Sequence, residues 1–424
     1  MKKVILLDID GVLVHHGGYR AALHATLNHF ASLMGLSHFD FPEEKLAELE
    51  KRGIFSEWDM VPLLLATLWN DILEHRPGLK LPADLFSAAV IIGHNMNGYK
   101  PQELVIPEFE FIAGQYPAEA AMQHGCFPFI PMDLRLNILS QSRNVNFSQT
   151  MRLFQHYSLG SAVFSKTYNL PAEVETESLL HTHDRSNIND AILAKLRQPN
   201  IHLAGLTARP SAPPREVDDS HFGYAPEAEI AFELVGLADI PLIAFGNLEY
   251  LAAKRGLDAS ALIKPSPVHA LAATAAALTG DEWAGLQSAG DWHQTGKLDG
   301  VFASLPREFE LFVVEDTMGG IRSTHAAGEI LRQNGFNVPT QTIGLTSGSA
   351  SKIEAFMQAG IPHFENWEEL IAPPELTKKI VVVIMHTRLD SMLSIWNICR
   401  TIPEVRKKGI TPSKGNDETT RILN

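Results

Sequence analysis

Short apolar runs alternate with helix-compatible stretches along much of this chain. The runs have the length of buried strands, and they cover residues 4–7, 200–206 and 311–314, with a further strand predicted over residues 340–345. Strands that alternate with helices favour a parallel sheet with helices on both faces. We therefore predict an α/β fold with a doubly wound, Rossmann-like core.

A long segment interrupts this alternation after the first strand. The distance along the chain from Asp10 to Thr207 is far more than a simple crossover requires. Helical periodicity predicts helices over residues 19–34, 43–51 and 57–73. Residues 79–147 are rich in Pro, Asn and Gly and form either an extension of this segment or a separate small subdomain.

The second half of the chain returns to the alternating pattern. Helices are predicted over residues 321–334 and 351–359, followed by a last loop and helix over 364–371. We assign residues 1–14 and 191–375 to the core domain and residues 15–190 to an inserted domain. Residues 376–424 form a C-terminal extension with a strand at 379–384 and a polar end that we expect to be partly disordered.

Composition narrows the class of protein. The 424 residues include 35 Lys and Arg against 49 Asp and Glu, a net charge of −14, which argues against broad nucleic-acid or membrane binding. Cys126 and Cys399 fit no metal or redox spacing and favour a reducing compartment. The apolar run at the N-terminus is too short for a signal peptide or a membrane span. We predict a cytoplasmic monomer or homodimer that binds a small molecule.

The first strand ends in the sequence Asp8-Ile9-Asp10-Gly11. Alternate residues of an extended chain point the same way, so both carboxylates can face one small volume while Gly11 turns the backbone away. This arrangement suits an aspartate nucleophile beside an aspartic acid/base, with a metal ion between them and a phosphate. The simpler alternative is a strand that ends in a polar loop.

Three later segments repeat the pattern of a polar group after a predicted strand or before a turn. They are Thr207-Ala208-Arg209-Pro210, Lys264-Pro265-Ser266-Pro267 and Glu315-Asp316-Thr317-Met318-Gly319-Gly320-Ile321. In this order, and together with the Asp-x-Asp strand, they resemble the four motifs of the haloacid dehalogenase-like (HAD) hydrolase superfamily. The Glu-Asp-Thr-x-x-Gly-Ile form is similar to the branch that contains phosphoglycolate phosphatases and beta-phosphoglucomutases.

The resemblance implies a role for each acidic residue. Asp8 would attack phosphorus to give an aspartyl-phosphate, and Asp10 would act as the general acid and base. Mg²⁺ would be held by Asp8, by the backbone carbonyl of Asp10, and by Glu315 and Asp316, since it prefers oxygen ligands. The inserted domain, residues 15–190, would be a mostly helical cap over the site.

The same resemblance implies a phosphate-binding group. Lys264 would pair with Asp8 and the phosphate, and Thr207 with the neighbouring backbone N–H groups, including that of Ala208, would bind a phosphate oxygen. Arg209 departs from the dipeptides of the nearest branch; it would contact phosphate or substrate, or form a structural ion pair.

Other polar clusters carry weaker expectations. His15 and His16 follow the first motif and suit a surface turn, with a place at the cap hinge or against the leaving group as the alternative. The sequence from His181 to Asp184 mimics a metal cluster but lacks a further ligand. Residues 290–293 are predicted to be a loop. Arg20 and Arg52 lie where relatives place residues that recognise substrate, and a solvated helix face explains them equally well.

The function expected from these residues is a Mg²⁺-dependent phosphatase acting on a small phosphorylated metabolite. A phosphosugar mutase would share the nucleophile, the acid/base and the cap, and the sequence does not separate the two. A non-catalytic binding protein of the same fold is the third reading. The sequence does not name the substrate.

Overall fold

The computed structural model describes residues 1–36, 39, 41–101, 104–217 and 222–372. The described residues form a six-stranded sheet in the order β5-β4-β1-β6-β7-β8, and every neighbouring pair is parallel. The strands are β1 (Lys2–Leu7), β4 (Ile201–Leu206), β5 (Leu242–Ile243), β6 (Phe309–Glu315), β7 (Thr340–Leu345) and β8 (His363–Phe364). A separate two-stranded antiparallel sheet pairs β2 (Val14–His15) with β3 (Arg185–Ser186).

Strand β1 lies at the centre of the sheet, between β4 and β6. Leu7 is level with Gly205 of β4 and with Val314 of β6, so the three strands end at one edge. Val4 and Leu6 pack with apolar residues of the flanking helices on one face, while Ile5 and Leu7, which alternate with them, are equally buried. A strand buried on both faces explains why the first apolar run is continuous.

The segment between β2 and β3 is helical and has its own hydrophobic core. Its helices are α1 (Gly18–Leu33), α2 (Glu43–Lys51), α3 (Glu57–Glu74), α4 (Leu85–His94), α5 (Pro117–Gln123), α6 (Met132–Leu139), α7 (Gln149–Leu159), α8 (Ser161–Tyr168) and α9 (Leu179–His183). Phe30 is central to this core: its ring stacks on Phe86 and meets Trp69 edge to face. Buried residues of α4 and α6, two helices within the range 79–147, join the same cluster as those of α1 and α3.

Further helices flank the large sheet. They are α10 (Asp190–Leu196), α11 (Glu227–Leu234), α12 (Phe245–Arg255), α13 (Pro267–Thr279), α14 (Glu282–Thr295), α15 (Met318–Gln333), α16 (Ala350–Ala359) and α17 (Trp367–Ile371). This is the doubly wound, Rossmann-like α/β core predicted from the sequence. Met1–Ala372 form one compact unit. No helix within the described ranges is both long and apolar enough to cross a membrane.

The prediction of a loop over residues 290–293 was wrong, because these residues belong to α14. Two glycines let α14 pack closely on its neighbours: a Cβ at Gly285 would lie 2.7 Å from the carbonyl oxygen of Ala272, and one at Gly290 would lie 3.3 Å from Leu251. Tertiary packing therefore overrides the weak helical preference of glycine. The predicted strand at 379–384 and the partly disordered extension 376–424 lie outside the described residues, and the division into core and cap domains stays a prediction.

Candidate active site

Asp8 and Asp10 follow β1 directly at the edge where the central strands end. Asp8 is buried, and its Oδ1 accepts a hydrogen bond from the N–H of Ile9 at 2.8 Å. Gly11 has a φ of +73°, and a Cβ there would collide with the side chain of Asp316. Two features therefore require glycine at this position: the left-handed backbone conformation and the close approach of the Asp316 side chain.

Asp8, Glu315 and Asp316 form one buried carboxylate cluster. Each offers an oxygen within 4.8 Å of the other two, and no second group of this kind occurs among the described residues. Glu315 ends β6 and lies against Gly320 of α15, where a Cβ would collide with it. The glycine of the Glu-Asp-Thr-x-x-Gly-Ile motif thus makes room for the first acid of the motif.

Crowding of these carboxylates changes their ionisation. Burial, and then the negative charge of Asp8, raise the pKa of Glu315 and that of Asp316 above their ordinary values. A divalent cation would relieve the repulsion. Buried carboxylate oxygens gathered in one place are also the ligands that Mg²⁺ prefers, so the residues present fit this ion.

Lys264 lies between two of these carboxylates. Its Nζ is 2.9 Å from Asp8 Oδ1 and 2.6 Å from Glu315 Oε1, and it donates to the carbonyl oxygen of Leu206 at 3.3 Å. Burial alone would lower the pKa of Lys264, but the charges of Asp8 and Glu315 raise it above its ordinary value. Lys264 therefore stays charged in a site where its side chain is only 9% exposed.

Thr207 follows β4, beside β1. It is 1% exposed, its N–H donates to the carbonyl oxygen of Ile243, and its hydroxyl oxygen accepts from the N–H of Arg209 at 3.3 Å. Thr207 lies at the same edge of the sheet as Asp8 because it directly follows β4. Lys264 reaches this edge too, since its Nζ donates to the carbonyl oxygen of Leu206, the last residue of β4. Ala208 is exposed between Thr207 and Arg209.

Arg209 forms a second buried ionic cluster with Asp10 and Asp184. It donates to both oxygens of Asp10, at 2.9 and 2.6 Å, and to Asp184 at 3.0 Å. Burial would raise the pKa of Asp10, but Arg209 outweighs this and holds it below its ordinary value. Of the three guanidinium nitrogens of Arg209, Nη1 is the one that has no hydrogen-bond partner among the described residues. Most of the donors of Arg209 are thus engaged by protein carboxylates.

Sequence reasoning missed the role of Asp184. In the sequence, Asp184 stands only at the end of a mimic of a metal cluster, whereas the structure buries Asp184 and leaves His181 and His183 exposed. It also missed Lys352 of α16, whose Nζ lies 2.5 Å from Asp316 Oδ2. Neither residue follows a buried strand or belongs to a recognisable spacing, so no local signal could have found them.

The helical segment contributes further groups near Asp10. The ring of Tyr19 lies 5.0 Å from the guanidinium carbon of Arg209, and Nδ1 of His16 is 4.0 Å from Asp10. Arg20 and Arg52, the two candidates for substrate recognition, form ion pairs inside the segment, Arg20 with Glu50 and Arg52 with Glu48 and Glu108.

A cavity of about 370 Å³ opens next to Gly11, the residue that follows the Asp8-Ile9-Asp10 turn. Gly11 and Val12 line it from the core, His15 and Ser186 from the two-stranded sheet, and Trp367 from α17. Cavities of this size accommodate small molecules.

Comparison with known proteins gives little guidance. No protein-family model and no curated protein matches the chain. Among solved structures, Phosphatase Tt82 from Thermococcus thioreducens is similar at 14% identity with a TM-score of 0.38, over 84% of this chain and 99% of that one. A likeness this distant carries no argument about activity.

Proposed function

We propose that the chain is a Mg²⁺-dependent phosphatase of the HAD-like type, which hydrolyses a small phosphorylated metabolite through an aspartyl-phosphate. One observation carries the proposal. The carboxylate of Asp8 lies at the end of the central strand, 2.9 Å from Lys264 Nζ and within 4.8 Å of oxygens of Glu315 and Asp316. A nucleophile, a fixed cation and an oxygen-rich metal site are the three parts that phosphoryl transfer needs.

Asp8 is the attacking group in this proposal. Its carboxylate oxygen bonds to phosphorus while the bond from phosphorus to the substrate oxygen breaks, and that oxygen keeps the electron pair. Lys264 binds the phosphoryl oxygens as a compact positive charge. Thr207, through its hydroxyl, and Ala208, through its N–H, donate hydrogen bonds to the same group.

Asp8, Glu315, Asp316 and the backbone carbonyl of Asp10 would hold Mg²⁺. The ion would neutralise negative charge shared between the attacking carboxylate and the phosphate. The support for this ligand set is the crowding of three buried carboxylates, with Lys264 between Asp8 and Glu315 and Lys352 against Asp316.

Asp10 is the acid and base. It protonates the leaving oxygen and then takes a proton from the water that attacks the phosphorus of the aspartyl-phosphate. Its lowered pKa favours the carboxylate, the form that accepts this proton. An arriving phosphate adds negative charge beside Asp10 and thereby raises its pKa, which favours the protonated form for the first step.

We further propose that residues 15–190 form a cap that admits only small phosphate esters. Tyr19, His16 and Asp184 of this segment lie within contact range of Arg209 or Asp10. A segment that reaches the acid/base can exclude water from it when substrate is bound.

The experiment is a screen of phosphorylated metabolites with the purified full-length chain and Mg²⁺, in which inorganic phosphate is measured. We expect release from at least one ester, loss of that release with EDTA, and its return with added Mg²⁺. No release from any ester, or full activity after exhaustive chelation, would overturn the proposal. An isomeric product without free phosphate would instead assign a mutase.

A further inference from the structure

Asp184 is a buried carboxylate to which the mechanism above gives no task. It lies between α9 and β3, where the chain returns from the helical segment to the core, and its side chain is 1% exposed. Resting on the proposed function, we infer that Asp184 is a positioning residue: through Arg209 it holds the carboxylate of Asp10 in the orientation that protonates the leaving oxygen.

The first link is the guanidinium of Arg209. Nε lies 2.9 Å from Asp10 Oδ2 and Nη2 lies 2.6 Å from Asp10 Oδ1, so one planar fork holds both oxygens of Asp10. The same Nη2 lies 3.0 Å from Asp184 Oδ2, and the ring of Tyr19 covers the guanidinium. With only 2% of its side chain exposed, Arg209 takes its orientation from these partners.

The second link fixes Asp184 to the backbone. Its Oδ1 accepts hydrogen bonds from the N–H groups of Gly17 at 2.9 Å and Gly18 at 2.8 Å, where α1 begins. Both glycines are packed tightly: a Cβ would lie 2.7 Å from the carbonyl oxygen of His183 at Gly17, and 2.6 Å from Leu180 Cα at Gly18. One oxygen of Asp184 thus joins the two ends of the helical segment, while the other orients Arg209.

This arrangement matters because acid catalysis depends on geometry. A proton is transferred along a hydrogen bond of about 2.6–3.2 Å, and a misplacement of about 1 Å costs up to about 100-fold in rate. The side chain of Asp10 is 33% exposed, so the fork of Arg209 is what fixes it. Without Asp184, Nη2 keeps its bond to Asp10 but loses one of the contacts that orient the guanidinium. Attack by Asp8 is untouched, since Lys264 holds Asp8 separately.

The test exploits leaving groups that differ in their need for a proton. The p-nitrophenolate ion departs from p-nitrophenyl phosphate without protonation, whereas an alkoxide departing from an alkyl phosphate needs the proton of Asp10. The variant is Asp184→Asn in the full-length chain with Mg²⁺, because Asn keeps an acceptor for the two glycine N–H groups. We expect kcat/KM to fall about 10- to 100-fold for the alkyl ester and to stay within about 3-fold for the aryl ester.

A matched control is Glu282→Gln. Glu282 is also a buried carboxylate that accepts two backbone hydrogen bonds, from Leu242 and Arg215, and pairs with an arginine, but it lies at the start of α14. This variant should lose stability without any dependence on the leaving group. Should Asp184→Asn fail to fold, Arg209→Lys keeps the charge and removes the fork, and it should show the same selective loss.

The outcomes separate the two claims. If the wild-type chain hydrolyses neither class of ester nor any metabolite, the proposed function and this inference fall together. If the wild-type chain is active but Asp184→Asn and Arg209→Lys lose the same factor on both esters, or lose nothing, the positioning role is overturned while the phosphatase stands.

Discussion

Two buried cations flank the Asp8-Ile9-Asp10 turn, and each lies between two carboxylates. Lys264 contacts Asp8 and Glu315, and Arg209 contacts Asp10 and Asp184. The lysine cluster is built entirely from the sheet core. The arginine cluster takes Asp184 from the end of the helical segment.

The difference matches the tasks we propose for the two aspartates. A lysine ammonium is a point charge that stabilises negative charge from any direction, which suits the nucleophile and the phosphate. A guanidinium is a rigid fork that fixes the plane of a carboxylate, which suits an acid that must aim at a leaving oxygen. Attack by Asp8, which Lys264 supports, would then work independently of the helical segment. Protonation by Asp10, which Arg209 and Asp184 orient, would depend on it.

The largest effect is expected from Asp8→Asn. This variant keeps the shape of the side chain but removes the charge that attacks phosphorus, so kcat should fall by several orders of magnitude for every ester. Steady-state kinetics checks this, with thermal unfolding as the control for folding. Turnover within a few-fold of the wild-type value would show that Asp8 is not the nucleophile.

Lys264→Gln should have the next largest effect. Removing a preorganised positive group at the reacting phosphate typically costs about 10²- to 10³-fold in kcat. Because Lys264 stabilises the attack by Asp8 on phosphorus, the loss should be equal for aryl and alkyl esters, unlike the loss in Asp184→Asn. A loss confined to alkyl esters would erase the distinction between the two clusters.

Metal binding should be visible without turnover. Mg²⁺ at about 100 times its Kd should stabilise the folded chain by about 2.7 kcal/mol, measured as a rise in Tm. Asp316→Asn should abolish this rise because it removes one ligand, whereas Arg209→Lys should leave it unchanged. Equal stabilisation of wild type and Asp316→Asn would remove Asp316 from the site.

A smaller effect is expected at Glu229, a partly buried carboxylate with a single hydrogen-bonded oxygen. Its Oε1 accepts a hydrogen bond from the N–H of Ala212 at 2.9 Å, and its Oε2 has no hydrogen-bond partner among the described residues. Burial raises the pKa of Glu229 to about 8. The folded state therefore holds this proton more tightly than the unfolded state, and the contribution of Glu229 to stability falls as the pH rises from about 4.5 to about 8.

Glu229→Gln removes this titration. Compared with the wild-type chain, the variant should gain stability as the pH rises through that window, and Tm measured at pH 5 and pH 8.5 checks the sign. If the difference in Tm between the two proteins is the same at both pH values, Glu229 does not titrate as described.

The sequence predicted the lysine cluster far better than the arginine cluster. Asp8 directly follows a buried strand and Glu315 ends one, and parallel strands bring their ends to one edge, so the pattern placed both residues there, while the pairing of Lys264 with Asp8 was implied by the family resemblance. The helix over residues 43–51 was also confirmed, because its signal is local. The pairing of Arg209 with Asp184 depends on how the helical segment packs on the core, and no spacing in the chain encodes that.

Trapping the proposed intermediate tests the central claim most directly. The full-length chain is mixed with Mg²⁺ and an ester that it hydrolyses, and the reaction is quenched and treated with borohydride. Borohydride reduces an acyl phosphate to an alcohol and leaves free carboxylates intact. Peptide mass spectrometry should locate the reduced side chain at Asp8, with none in Asp8→Asn. Reduction at another carboxylate, or none at all while phosphate is being released, would contradict attack by Asp8.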